Sequence, residues 1–97
     1  MSLNEKYKKV LISIIHKHVP ECTVYLFGSR AIDQEYSGSD IDIALDAGKI
    51  IDHAKLVAIQ IDFDETTIPM EMDLVDLQAA SQELKNDILR EGIKWTN

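Results

Sequence analysis

"LFGSRAIDQEYSGSDIDIAL" occupies residues 26–45, and its closing half decides the fold. An extended chain throws successive side chains to opposite faces, so Ile41, Ile43 and Leu45 enter a core while Asp40 and Asp42 leave on the other side. Asp is a poor strand former, and two like charges on one face repel each other. A purely structural strand would avoid the pair, which therefore points to a bound cation. Two convergent carboxylates at strand spacing form a hard-oxygen site suited to Mg²⁺, an ion that prefers one or two carboxylates plus substrate phosphate oxygens to a closed protein cage. Upstream, Gly28 lets backbone N–H groups approach an anion, and Ser29 adds a hydroxyl at the expected start of a short helix. Phosphate and metal are thus expected at two ends of one hairpin.

Outward from this stretch the chain reads as alternating helix and strand. Residues 22–27, "CTVYLF", form an apolar strand. Before it, Leu3, Tyr7, Val10, Leu11, Ile14 and Ile15 recur at helical spacing up to Pro20. After it, "KIIDHAKLVAIQID" predicts a second amphipathic helix whose Ile51, Ala54, Val57, Ala58 and Ile61 share a face. "MEMDLVDL" is a third strand, in which Asp73 and Asp76 point to opposite faces and Glu71 shares the Asp73 face as a candidate accessory carboxylate. Met70 and Met72 alternate with these acids and read as core. "QAASQELKNDILREG" closes as one helix ending at Gly92. The expected fold is α/β (α+β): one domain over residues 1–97, a small mixed β-sheet with strands at 22–27, 40–45 and 71–75, and helices mainly on one face.

Composition narrows the function. A stretch of 97 residues is expected to form one core, without a second lobe to grip a macromolecular substrate. Ten Lys and Arg stand against 17 Asp and Glu, a net charge of −7, and no basic block tracks a phosphate backbone. Direct nucleic-acid binding and docking on anionic lipid are therefore not expected. The lone Cys22 excludes an internal disulfide and a Cys-rich zinc site, and the polar "MSLNEKYKK" start is unlike a signal peptide, so a reduced cytoplasmic setting is expected. His16, His18 and His53 show no metal-ligand spacing, and the "DFDETT" loop reads as a solvated acidic segment.

Competing motifs fail. "AGKI" at 47–50 has the Gly-Lys of a Walker loop without its upstream Gly or following Ser/Thr. "DIDIAL" is not a calcium loop, because Leu45 stands where the turn Gly belongs and Ile51 where the bidentate Glu belongs.

The Gly-Ser pair in "FGSRA", a loop, and then "GSDIDIAL" resemble the signature of the DNA polymerase beta-like nucleotidyltransferase superfamily, and the small size resembles its minimal, MNT-type members. "MDLVDL…ILREGIKW" is similar to the C-terminal part of those proteins, so the resemblance runs from Phe27 to Trp95. It implies that Asp40 and Asp42 ligate two metal ions, Mg²⁺ with Mn²⁺ as the substitute, and that Asp73 is the third carboxylate. It also implies that Gly28 and Ser29 hold the β and γ phosphates of ATP, with Ser39 and Arg30 as further contacts. The chain departs from the family at Arg30-Ala31-Ile32-Asp33, where Arg-Ala-Arg-Gly is common.

Minimal members are typically antitoxins paired with a HEPN-type ribonuclease toxin. The expected activity is accordingly transfer of AMP from ATP to a hydroxyl, Tyr foremost, of such a toxin, within a homo- or hetero-oligomer. The alternatives are a weakly active or inactive module that neutralises a partner by binding alone, and a small-molecule nucleotidyltransferase. The last would ordinarily need an extra helical domain.

Overall fold

The computed structural model of the chain describes residues 5–28 and 40–96. Four strands form one sheet: β1 (Thr23–Phe27), β2 (Ile41–Asp46), β3 (Met72–Asp76) and β4 (Ile93–Lys94), in the order β3-β2-β1-β4. β1 is antiparallel to both β2 and β4, whereas β3 runs parallel to β2. A parallel pair needs a crossover, here α2 (His53–Asp64). α1 (Glu5–His18) precedes the sheet, and α3 (Gln82–Glu91) leads into β4.

The main core lies under α1 and α2. Ile41, Ile43 and Leu45 of β2 join Val24 and Leu26 of β1, and all are fully buried against Leu11, Ile15, Ile59 and Phe63. The alternation expected at residues 41–45 is therefore present. Ala44, on the other face, is also fully buried, packed with Leu77 and with Ile88 of α3. The two longer helices thus cover one face, and α3 covers the Ala44 region of the other. At their ends α1 and α2 are tied by His18 Nε2–H donating to Asp62 Oδ2 at 2.7 Å, with Lys17 Nζ 3.5 Å away. These partners hold the Asp62 carboxyl below its usual range, the His18 hydrogen bond most of all.

Several boundaries and faces differ from the sequence reading. On α2 the buried residues are Ile59 and Phe63, with Leu56 packed beside them, while Val57 and Ile61 remain 43% and 53% exposed. α2 carries apolar residues on two sides, and the stripe with the larger side chains takes the core because it removes more surface from water. Val10 is likewise exposed, and α1 buries Leu11 and Ile15. The closing helix begins only at Gln82: a 3₁₀ turn spans Leu77–Ala79, and the Ser81 hydroxyl caps α3 by accepting from the Leu84 N–H at 3.1 Å. Strand β4 was not expected. It forms because Gly92 closes α3 on the Ile88 carbonyl, returning the chain beside β1, where the backbone N–H of buried Trp95 donates to the Val24 carbonyl at 2.7 Å.

Asp76 shows how tightly the two sides of the sheet are joined. It pairs in register with Leu45 and is buried on the core face. Its Oδ2 accepts the buried N–H of Ile51 at 2.7 Å, and its Oδ1 accepts from the Gln78 N–H at 3.2 Å, capping the 3₁₀ turn. Asp76→Ala leaves the Ile51 donor unsatisfied, for an expected loss of about 2–3 kcal/mol, and Asp76→Asn should lose less because one acceptor oxygen remains. Urea unfolding of the two variants checks this, and equal stability of Asp76→Ala and wild type would contradict it.

Candidate active site

β1 leaves the sheet at Phe27, whose register partner on β2 is Asp42. The next residue, Gly28, has φ +75°, and a Cβ built there would overlap the Asp42 carboxylate at Oδ2. Glycine is thus demanded twice, by the left-handed backbone and by the approach to Asp42. Asp42 is in turn the register partner of Asp73 on parallel β3. In-register partners on neighbouring strands project to the same face, so the two carboxylates stand side by side. Asp40 lies one residue before β2 and is exposed, Asp42 is half-buried, and Asp73 is exposed.

The electrostatics follow from this crowding. The Asp42 carboxyl is pushed above its ordinary 3.8 by burial first, then by the charges of Asp73 and Asp40, and by a hydrogen bond with Asp73. The folded chain therefore binds this proton more tightly than the unfolded chain. Its stabilising effect is complete below pH 3.8 and is lost as pH rises through the raised value, so at neutral pH the ionised cluster weighs against folding. Among the described residues no three His, Cys, Asp or Glu side chains enclose a cation on their own. The arrangement is instead a two-carboxylate platform, Asp42 with Asp73, and Asp40 acting at longer range. Such an open set of hard oxygens fits an ion that completes its shell with water and substrate phosphate.

Of the residues singled out from the sequence, Gly28, Asp40, Asp42 and Asp73 come to one end of the sheet. Ser29, Arg30 and Ser39 lie outside the described residues, as do Ile32 and Asp33. Asp76, three residues from Asp73, serves the opposite face. Two clefts flank the pair. One, of about 260 Å³, is lined by Phe27 and Gly28 together with Arg90 and neighbouring residues of α3. The other, of about 400 Å³, runs from Asp73 past Glu71, Met70 and Ile68 to Asp64. The "DFDETT" segment is not all loop: Asp62, Phe63 and Asp64 form the last turn of α2, Phe63 is buried in the core, and exposed Asp64 lines this second cleft with Thr66.

Gly28→Ala tests the contact at the centre of the site. The positive φ alone costs an alanine about 1–2 kcal/mol, and the added methyl must push the Asp42 carboxylate aside. A stability loss of that size by urea unfolding, with loss of nucleotide binding, is expected. Full nucleotide affinity in the variant would contradict the geometry.

Comparison with known proteins agrees with the geometry. The protein adenylyltransferase MntA of Shewanella oneidensis is 32% identical over 89 residues, covering 84% of this chain and 59% of that protein. The chain thus spans about three fifths of that relative's length. A crystal structure of a toxin-antitoxin with AMP-PNP superposes with a TM-score of 0.80 at 29% identity, over 98% of this chain and 75% of that one. A structure of the tri-AMPylated Shewanella oneidensis HEPN toxin in complex with MNT antitoxin gives 0.76 at 25% identity, over 98% and 74%. The family model for polymerase beta, nucleotidyltransferase, matches residues 9–95, and the chain belongs to that family.

Proposed function

We propose that this chain transfers AMP from ATP to a hydroxyl, that of a tyrosine, on a partner HEPN-type ribonuclease toxin and thereby silences it. The observation that carries the reading is the Asp42–Asp73 register pair with Gly28 pressed against it: two crowded carboxylates beside a backbone able to approach phosphate. The AMP-PNP complex and the AMPylated toxin found among similar structures support the nucleotide and the acceptor. ATP as donor suits a cytoplasmic setting, and among the described residues no helix is long and apolar enough to cross a membrane.

The residues divide the work by position. Asp42, Asp40 and Asp73 would hold Mg²⁺, or Mn²⁺ in its place. When bound, the metal neutralises the crowded carboxylates and the polyphosphate charge and polarises the reacting oxygens. Gly28 would approach the β and γ phosphates with its backbone, and Ser29, Arg30 and Ser39 are the further phosphate contacts that the sequence resemblance implies. Asp73, exposed at the edge of the sheet, orients the acceptor hydroxyl and takes its proton at a carboxylate oxygen. The hydroxyl oxygen bonds to the α phosphorus, the bond from that phosphorus to the bridging oxygen breaks, and pyrophosphate leaves with the electron pair. The modified side chain gains negative charge and bulk. Beside a ribonuclease site that must hold RNA, both oppose substrate binding.

Intact-mass measurement of the toxin after incubation with this chain, ATP and Mg²⁺ tests the reading. An increment of one or more AMP units is expected with wild type. Asp42→Ala and Asp73→Ala should lower the transfer rate by about 10²-fold or more, the scale on which a group acting directly on the reacting atoms contributes. Suppressed toxicity with no mass increment would instead identify a module that neutralises by contact.

A further inference from the structure

We infer that the cleft on the Asp73 side of the carboxylate pair seats the acceptor polypeptide and recognises a lysine or arginine next to the hydroxyl that receives AMP; this rests on the adenylyl-transfer reading above. In an in-line displacement the attacking oxygen and the leaving pyrophosphate stand on opposite sides of the α phosphorus. Gly28 fixes the phosphate side of the pair. The acceptor must then approach from the other side, where Asp73 opens directly into the cleft of about 400 Å³.

The chemistry of that cleft selects the same occupant. Asp64, Glu71 and Asp73 line it, and no Lys, Arg or His does so among the described residues. A polyphosphate would be repelled there, whereas a cationic side chain would be drawn in. Elsewhere on the surface Asp62 is met by His18 and Lys17, and Asp87 and Glu91 by Arg90, whereas no such cation reaches this cleft among the described residues. Asp64 and Glu71 have no ion-pair partner among the described residues. Ile68 and Met70 add apolar wall, so a tyrosine ring and an alkyl stem both find contact.

The wall is built in advance. Gln60 Nε2–H donates to the Met72 carbonyl at 3.1 Å, the Thr66 hydroxyl donates to the Phe63 carbonyl at 2.8 Å, and the Ile68 N–H donates back to that hydroxyl at 3.3 Å. These bonds set the turn between α2 and β3 before any partner arrives, which lowers the ordering cost of binding. The volume also lies within the range of ligand clefts, so more than the reacting hydroxyl can be accommodated.

A charge swap combined with crosslinking tests the assignment on the full chain and the purified HEPN-type toxin. Asp64→Lys is expected to raise KM for the toxin about ten-fold while leaving kcat and KM for ATP nearly unchanged. Reversing the basic residue beside the modified hydroxyl to Glu should restore KM in the Asp64→Lys background and not in wild type. A photo-crosslinking residue at Ile68 should label the toxin segment around that hydroxyl, and one at exposed Ile50 should not. Unchanged toxin KM together with no Ile68 crosslink would overturn the inference while leaving the transfer reading intact. Should the toxin gain no AMP at all, the transfer reading fails, and the Ile68 crosslink still decides whether the segment sits in the cleft.

Discussion

The parallel register of β2 on β3 is the constraint on which the rest of this structure depends, because it sets Asp42 directly beside Asp73. Buried apolar neighbours hold that register. Ile41, Ile43 and Leu45 are fully buried on the face away from the carboxylates, and a slip of one residue would send all three to the other side. The core thus forces together two charges that would otherwise separate. Gly28 closes the arrangement from β1, and burial with two neighbouring charges raises the Asp42 carboxyl above its ordinary range. A fold accepts such a conflict where the site serves function.

β3 carries the complementary lesson. Asp73 and Asp76 are three residues apart on one strand, and alternation gives them opposite surroundings. Asp76 is buried with both oxygens occupied by backbone donors, joining the start of α2 to the turn that precedes α3. Asp73 is exposed and stands in register beside Asp42. One strand therefore anchors the scaffold through one carboxylate and places the other beside Asp42 on the opposite face.

Much of this was legible in the sequence, for physical reasons that also mark the limits. Period-two alternation in "DIDIAL" and "MDLVD" puts Asp40 and Asp42 on one face and separates Asp73 from Asp76; that Asp73 joins the pair was implied only by the family resemblance, and the strand register supplies the contact. Helical periodicity was less decisive on α2. Its Val57–Ile61 side is nearly as apolar as its Ile59–Phe63 side, and only the space beneath the sheet chose between them. β4 is two residues long and exists through pairing with β1, which no local pattern records. The backbone duty of Asp76 was equally hidden, since its donor, Ile51, lies 25 residues away. The cleft beyond Asp73 arises where a turn meets a strand edge, a tertiary feature with no periodic trace.

The central claim, that folding holds Asp42 and Asp73 in a costly pair that a cation and nucleotide relieve, is tested most directly by thermal unfolding of wild type and Asp42→Asn. Both are measured in chelator and again with Mg²⁺ and a non-hydrolysable ATP analogue. Removing the raised carboxylate should lift the chelator midpoint of the variant above that of wild type. Ligand should raise the wild type and leave the variant nearly unmoved. A variant that melts below wild type in chelator, or that gains as much from Mg²⁺ and nucleotide, would contradict the account.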